Sequence, residues 1–188
     1  MKNCFVMADP NKCIGCRTCE AACAIEHSGE DFFNVSISKI NFNPRLNVIK
    51  NAKVSVPVQC RQCEDSPCLR VCPVNAISNE EGLVFVNKNM CIGCKSCLIA
   101  CPYGAIELVT EYEEGEKTLK NRFRVVSEDK AVQEEKDKIV ANKCDLCRGR
   151  KNGPACIEVC PTQALQLVTY DDSGNIVKKK SANECRVG

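Results

Sequence analysis

The sequence predicts an α+β fold of two small cysteine-organised modules, one inserted into the other, each made of short helices and small β hairpins. Three observations point there. Eighteen cysteines stand among 188 residues. Sixteen of them fall into four groups of four, and the pattern Cys-Pro-x-x-Ala-[Ile/Leu] closes three of those groups, at Cys72, Cys101 and Cys160.

Composition explains why cysteine must organise the structure. Leu, Ile, Val and Phe together number only 46 of 188 residues, which leaves a thin side-chain core. The length suits one domain or two small ones, and no run of eighteen apolar residues could cross a membrane, so direct membrane insertion is not expected. The first ten residues, Met1 to Pro10, lack the sustained apolar stretch of a secretory signal, so a cytoplasmic location is expected. Reducing compartments keep thiols free, which makes metal binding a stronger account of the cysteines than a disulfide framework.

The first group is Cys13, Cys16, Cys19 and Cys23. The second is Cys60, Cys63, Cys68 and Cys72, the third Cys91, Cys94, Cys97 and Cys101, and the fourth Cys144, Cys147, Cys156 and Cys160. Groups one and three have the spacing C-x2-C-x2-C-x3-C. With Pro102 following, the third is the bacterial ferredoxin run, in which three close thiolates hold one [4Fe-4S] cluster and the remote fourth holds a neighbour. Glycine at Gly15 and Gly93 lets the backbone amides of the two Cys-Ile-Gly-Cys loops turn toward sulfur. Structural zinc is the competing reading, but it explains neither the triplets nor the Cys-Pro endings.

The formal charge of +2 counts an empty chain. Four cubanes at roughly −2 each would carry the total to about −6, so charge gives no reason to expect a nucleic-acid partner.

Groups two and three, separated by "AISNEEGLVFVNKNMC" with a turn at Glu81 and Gly82, form one compact unit over residues 57–110. Its strand is expected to end just before Cys91, and a short helix to lie in "CKSCLIAC". Groups one and four each lack a neighbour for the fourth cysteine, so the economical solution pairs them in an outer module, residues 1–56 plus 111–188. The expected wiring is then Cys13, Cys16, Cys19 and Cys160 on cluster 1, and Cys144, Cys147, Cys156 and Cys23 on cluster 2. In the inner module it is Cys60, Cys63, Cys68 and Cys101 on cluster 3, and Cys91, Cys94, Cys97 and Cys72 on cluster 4. Group one has Ala24 where the others have proline, so its helix is expected to continue through Glu26 and His27.

Between the groups, "VSISKINF" and "LNVIKNAKVSVPV" read as the two strands of a connecting hairpin turning at Asn43 and Pro44. Residues 111–143 are highly charged and read as a solvated loop with a short helix, with partner docking as the functional alternative. The basic tail at Lys178, Lys179 and Lys180 reads as a solubility feature.

His27, the only histidine, is expected to be an ordinary helix residue, because all four groups are complete in cysteine. Cys4 is expected to pack in the apolar "CFVM" strand, and Cys185 to be an exposed bystander. Arg17, Arg61, Lys95 and Arg148 lie in or beside the cysteine loops, as potential-tuning cations or as solvated surface charge. No nucleophile elbow, P-loop, dinucleotide fingerprint or zinc-protease motif occurs, and no catalytic residue is expected.

The stretches "CIGCRTCEAAC", "QCRQCEDSPC", "VCPVNAIS", "CIGCKSCLIACPYGAIE" and "NKCDLCRGRKNGPAC" resemble the four-cluster ferredoxin-type subunits that serve molybdenum or tungsten pterin oxidoreductases and hydrogenases. They are most similar to the hydrogenase and formate-hydrogenlyase branch, which includes hydrogen-dependent CO2 reductase. The resemblance runs from Asp9 to about Val168. It implies two ferredoxin-like halves related by pseudo-twofold symmetry, four [4Fe-4S] clusters in a row, and the crossed wiring above. It implies electron transfer without a substrate site of its own, for a pterin-containing formate dehydrogenase subunit, a hydrogenase subunit, or both, with a second ferredoxin-type subunit as a further partner. A scaffold subunit that forms an oligomer or filament, an accessory maturation ferredoxin and a zinc-ribbon module are the rival readings.

Overall fold

A computed structural model describes residues 3–28, 42–113, 116–127, 130–171 and 173–179. The first strand, β1 (Phe5–Ala8), enters a three-stranded antiparallel sheet with β12 (Leu165–Tyr170) at its centre and β13 (Ile176–Lys178) beyond it. Phe5 lies opposite Val168 and Ala8 opposite Leu165. The strand that precedes group one therefore pairs with the strand that follows group four, which joins two segments far apart in sequence.

Helix α1 (Thr18–Ser28) carries the last two cysteines of group one and continues past Glu26 and His27, as the absence of a proline after Cys23 predicts. It packs against α4 (Ala155–Glu158), which carries Cys156 of group four. The short helices α2 (Pro67–Arg70) and α3 (Ser96–Ala100), from groups two and three, pack against each other in the same way. The hairpin β4 (Ile77–Glu80) and β5 (Leu83–Val86) turns on Glu81 and Gly82, with φ of 50° and 80°. Two consecutive left-handed residues match the right-handed twist of the strands they join. The strand stops at Val86 rather than at Met90, because residues 88–90 turn and Cys91 N–H donates to Lys88 O at 3.2 Å.

Two expectations need correction. The second apolar run is not a single strand but folds into a hairpin of its own. Its strands are β2 (Leu46–Lys50) and β3 (Ser55–Gln59), both from the second apolar run. The reason is local: the Asn51 carboxamide oxygen accepts from Lys53 N–H at 2.9 Å and Val54 N–H at 2.7 Å, which closes the chain on itself. The first run, "VSISKINF", lies outside the described residues except for Phe42.

The charged segment is also not a loop with a helix. It is strands: β7 (Tyr112–Glu113) with β8 (Glu116–Lys117), then β9 (Leu119–Ser127) antiparallel to β10 (Lys130–Asp137). The base is fixed by backbone, with Thr118 N–H on Glu111 O, Glu111 N–H on Lys138 O and Lys138 N–H on Thr118 O, all within 2.9 Å. The chain then returns through β11 (Ile139–Asn142), which pairs with β6 (Glu107–Thr110) and delivers group four beside the end of group three.

The cysteines are part of the core. Cys19, Cys23, Cys60, Cys144 and Cys156 are buried in one cluster with Val6, Leu46, Val48, Leu165 and Leu167, while Cys97 joins Ile77, Val84, Ile106 and Ala141 in a second. Cys4 is buried, as expected, and is in addition disulfide-bonded. Cys185 lies outside the described residues. None of the described helices is long and apolar enough to cross a membrane.

Candidate metal centre

The three Cys-Pro-x-x-Ala segments share one conformation. After the proline, Asn75, Gly104 and Gln163 take φ of 51°, 60° and 51°. That left-handed step turns the next amide back on the chain, so that Ala76 N–H donates to Cys72 Sγ at 3.2 Å, Ala105 N–H to Cys101 Sγ at 3.4 Å and Ala164 N–H to Cys160 Sγ at 3.3 Å. The alanine must be small, since all three are buried, and the following Ile77, Ile106 and Leu165 enter the core. The motif is therefore a sulfur-solvating turn anchored by one apolar side chain.

Other backbone amides do the same elsewhere. Gln62 N–H faces Cys60 Sγ, Ala141 N–H faces Cys91, Leu146 N–H faces Cys144 and Ala155 N–H faces Cys147, all at 3.4–3.5 Å. Cys23, whose group lacks the proline turn, takes its amide from a distant segment, Arg45 N–H at 3.2 Å. Amides aimed at thiolate sulfur stabilise the extra negative charge of a reduced cluster. A thiol-only donor set solvated by amides fits an iron-sulfur cluster.

The two Cys-Ile-Gly-Cys loops are alike in detail. Gly15 and Arg17 have φ of 67° and 62°, Gly93 and Lys95 have 69° and 73°. In each loop the second cysteine meets a hydroxyl two residues on, Thr18 Oγ1 with Cys16 Sγ at 3.3 Å and Ser96 Oγ with Cys94 Sγ at 3.5 Å. Those hydroxyls hold both thiols below their usual range. Cys16 and Cys94 are also exposed, unlike the other motif cysteines.

Burial acts on several of the other thiols. It pushes Cys19 and Cys68 up to about 11 and also raises Cys144 and Cys156. At Cys160 burial also acts upward, but the amides of Ala164 and Leu165 outweigh it and the thiol ends lower. A buried thiolate without a counter-charge is unfavourable, so these side chains call for a bound cation.

The fourth cysteines lie near other groups. Cys72 lines one cavity with Cys91, Cys94 and Cys97, walled by Ile77, Val86, Leu108 and Ala141. The charge of Cys101 bears on Cys63 and Cys68 of group two, that of Cys160 on Cys16 of group one, and that of Cys23 on Cys144 and Cys156 of group four. Among the described residues no three His, Cys, Asp or Glu side chains stand close enough to share a single ion.

His27 is not an ordinary helix residue. Its Nδ1 lies 2.8 Å from Cys23 O and 3.6 Å from Cys23 Sγ, and its Nε2 lies 3.1 Å from Asp145 Oδ1. Asp145 also meets Arg45 at 2.5 Å and accepts from Cys147 N–H at 3.2 Å. With an acceptor on each ring nitrogen, His27 is an imidazolium. Burial pulls its pKa down, yet the Asp145 carboxylate and the sulfur contacts outweigh this and raise it to about 11. For Asp145, burial acts upward, but His27 and Arg45 together hold the carboxyl well below the usual range. Nothing in the sequence spacing pointed to this network, because its three members lie on α1, before β2 and inside group four.

The candidate tuning cations differ in setting. Arg17 is exposed on its side chain at 64 %. Arg61 lies over the Phe5 ring at 5.0 Å and the Tyr103 ring at 5.9 Å, while Arg148 pairs with Glu80 at 2.5 Å and stacks on Phe85 at 4.2 Å. Lys95 takes the left-handed step before α3.

Comparison with known proteins gives the same chemistry. A family model described as a 4Fe-4S dicluster domain matches residues 52–129, and one described as a 4Fe-4S binding domain matches residues 10–24. Electron transport protein HydN of Escherichia coli is 47% identical over 166 residues, 88% of each chain. Formate hydrogenlyase subunit 2 of the same organism is 41% identical, and hydrogenase-4 component A 38%, each over 95% of this chain and 88% of its own. The chain belongs to this family of ferredoxin-type [4Fe-4S] electron-transport proteins of the hydrogenase and formate-hydrogenlyase branch.

Proposed function

We propose that the chain is an electron-transfer subunit that holds four [4Fe-4S] clusters in crossed wiring and connects a pterin-containing formate dehydrogenase, a hydrogenase, or both. When bound, each cluster supplies a one-electron couple between its 2+ and 1+ states. The residues of the chain position the clusters, exclude water from them and set their potentials.

One observation carries this reading: in each group the fourth cysteine lies near the triplet of another group. The Cys72 cavity with Cys91, Cys94 and Cys97 supports cluster 4, and the nearness of Cys101 to Cys63 and Cys68 supports cluster 3. The nearness of Cys160 to Cys16 supports cluster 1, and that of Cys23 to Cys144 and Cys156 supports cluster 2. Packing of α1 on α4 and of α2 on α3 supports an inner module, residues 57–110, inserted into an outer one, residues 1–56 and 111–188. We read the two as related by pseudo-twofold symmetry, matching Cys13–Cys19 with Cys91–Cys97. The exposed ligands Cys16 and Cys94 then belong to clusters 1 and 4, and electrons enter and leave beside them. The chain thus acts as a carrier, and substrate chemistry belongs to its partners, which we expect in the cytoplasm.

Native mass spectrometry of protein purified without oxygen from its own cells tests this. Four cubanes together with a stoichiometric molybdenum or tungsten pterin enzyme or hydrogenase are expected. Four cubanes on a chain without a lasting partner would favour a free carrier or maturation factor. Zinc in their place would overturn the reading.

A further inference from the structure

Lys143 stands at the end of β11, immediately before Cys144, and is buried with 3 % of its surface exposed. Its ammonium donates to Val84 O of the inner hairpin and, at 2.9 Å, to Cys144 O. Both acceptors are neutral carbonyls. Among the described residues no carboxylate pairs with it, which sets it apart from Lys117, Lys138, Arg45 and Arg150.

The side chain of Gln62 fixes the same spot from the opposite side. Gln62 lies between Cys60 and Cys63 and is buried at 1 %. Its Nε2 donates to Cys144 O at 2.9 Å, and its Oε1 accepts from Val84 N–H at 2.9 Å. Cys144 O thus receives both Gln62 and Lys143, and Val84 is held through both its N–H and its carbonyl. Group two, the inner hairpin and group four meet at this one polar joint, with a positive charge at its centre.

A buried ammonium paired only with carbonyls is strongly unfavourable unless an anion balances it nearby. The anions the joint supplies are ligand thiolates. Cys144 is the adjacent residue, and Gln62, which stands between the group-two cysteines Cys60 and Cys63, shares the Cys144 carbonyl with the Lys143 ammonium.

We infer that Lys143 is the built-in counter-cation of clusters 2 and 3, placed where the two modules meet, and that it raises the reduction potentials of both relative to clusters 1 and 4. This rests on the wiring under Proposed function, which assigns Cys144 to cluster 2 and Cys60 and Cys63 to cluster 3. A fixed positive charge favours the more negative, reduced form of whatever lies beside it. Placed at the seam, it favours an electron arriving there from either end. Lys143 is a positioning and tuning residue, since it ligates no iron.

The test is an anaerobic potentiometric titration followed by EPR on the cluster-loaded full chain, with iron and sulfide counted per chain. Wild type, Lys143→Met, Lys143→Gln and Lys143→Arg are compared. Wild-type protein without four reducible cubanes would sink the electron-relay reading itself, independently of Lys143. With four present, two of the four potentials are expected to fall in K143M by at least a tenfold shift in the reduction equilibrium, 59 mV for one electron. The other two should stay, and K143R should restore the pair. K143Q separates charge from hydrogen bonding, because it keeps donors for the two carbonyls; it is expected to behave as K143M. Loss of clusters from both neutral variants but not from K143R would report the same requirement for charge. Four unchanged potentials in a loaded neutral variant, or loss of clusters from all three variants alike, would overturn the assignment.

Discussion

The amide of Ala76 donates to the sulfur of Cys72 at 3.2 Å, across a turn that Asn75 N–H closes on Cys72 O at 3.3 Å. Proline at the second position fixes φ and gives up an N–H the turn does not need, and the left-handed fourth residue aims the next amide inward. This is why Cys-Pro-x-x-Ala recurs at Cys101 and Cys160. Group one solves the same problem differently. Its helix runs on past Cys23, so Arg45 supplies the amide and His27 the second contact.

Crossed wiring predicts which pairs of cysteines behave as one. Cys72→Ser is expected to alter the same EPR signal and midpoint potential as Cys94→Ser, although Cys72 closes group two. Likewise Cys101→Ser should match Cys63→Ser. If Cys72→Ser instead resembles Cys63→Ser, ligation is local to each group and the wiring fails.

Gly93 is constrained twice. Its φ of +69° is left-handed, and a Cβ there would stand 2.4 Å from Ile139 O, a backbone atom that cannot swing away. Gly93→Ala should cost about 1–2 kcal/mol for the left-handed conformation alone, with the clash added. We expect it to lose the cluster held by Cys91 and Cys94. At Gly15 the obstacle is the Ser55 hydroxyl at 2.9 Å, which can rotate, so Gly15→Ala should retain its cluster better. Iron per chain, measured on both variants, decides. Equal loss from the two would show that φ alone governs these loops.

Arg17 and Arg61 separate two kinds of cation near a cluster. At 64 % side-chain exposure, the charge of Arg17 is screened by water and salt, and Arg17→Gln should leave every midpoint potential where it was. Arg61 is held between Phe5 and Tyr103, and Tyr103 belongs to the Cys101 turn. Arg61→Gln should lower one potential. An unchanged redox titration would reduce Arg61 to a packing residue.

The parts of this structure legible in the sequence are those where a local rule acts. The Glu81-Gly82 turn, the helix through His27 and the left-handed glycine loops all follow from neighbouring residues. The pairing of β2 with β3 was missed because its turn hangs on Asn51, an inconspicuous residue in an apolar run. The charged segment misled for another reason. Composition suggested solvation, but strands β7 to β10 are set by backbone bonds among Glu111, Thr118 and Lys138, which composition does not encode. His27 and Lys143 were invisible for a third reason. Their partners lie 118 and 59 residues away, at Asp145 and Val84, and only the fold brings them together.

The pair of His27 and Asp145 makes stability depend on pH in a definite direction. The folded pKa of His27 is raised from 6.5 to about 11, so its contribution is complete below 6.5, declines above that value and is gone past about 11. The folded pKa of Asp145 is depressed from 3.8, so its contribution is present above 3.8 and lost as pH falls toward the folded value. The pair therefore stabilises most between 3.8 and 6.5. Replacing His27 with Gln keeps a donor for one partner and removes the charge. The denaturant midpoint of the loaded protein, followed by cluster absorbance, should drop in His27→Gln, with a larger gap to wild type at about pH 6 than at about pH 9. A gap of the same size at both values would mean that His27 acts through shape alone, and that Asp145 draws its low pKa from Arg45.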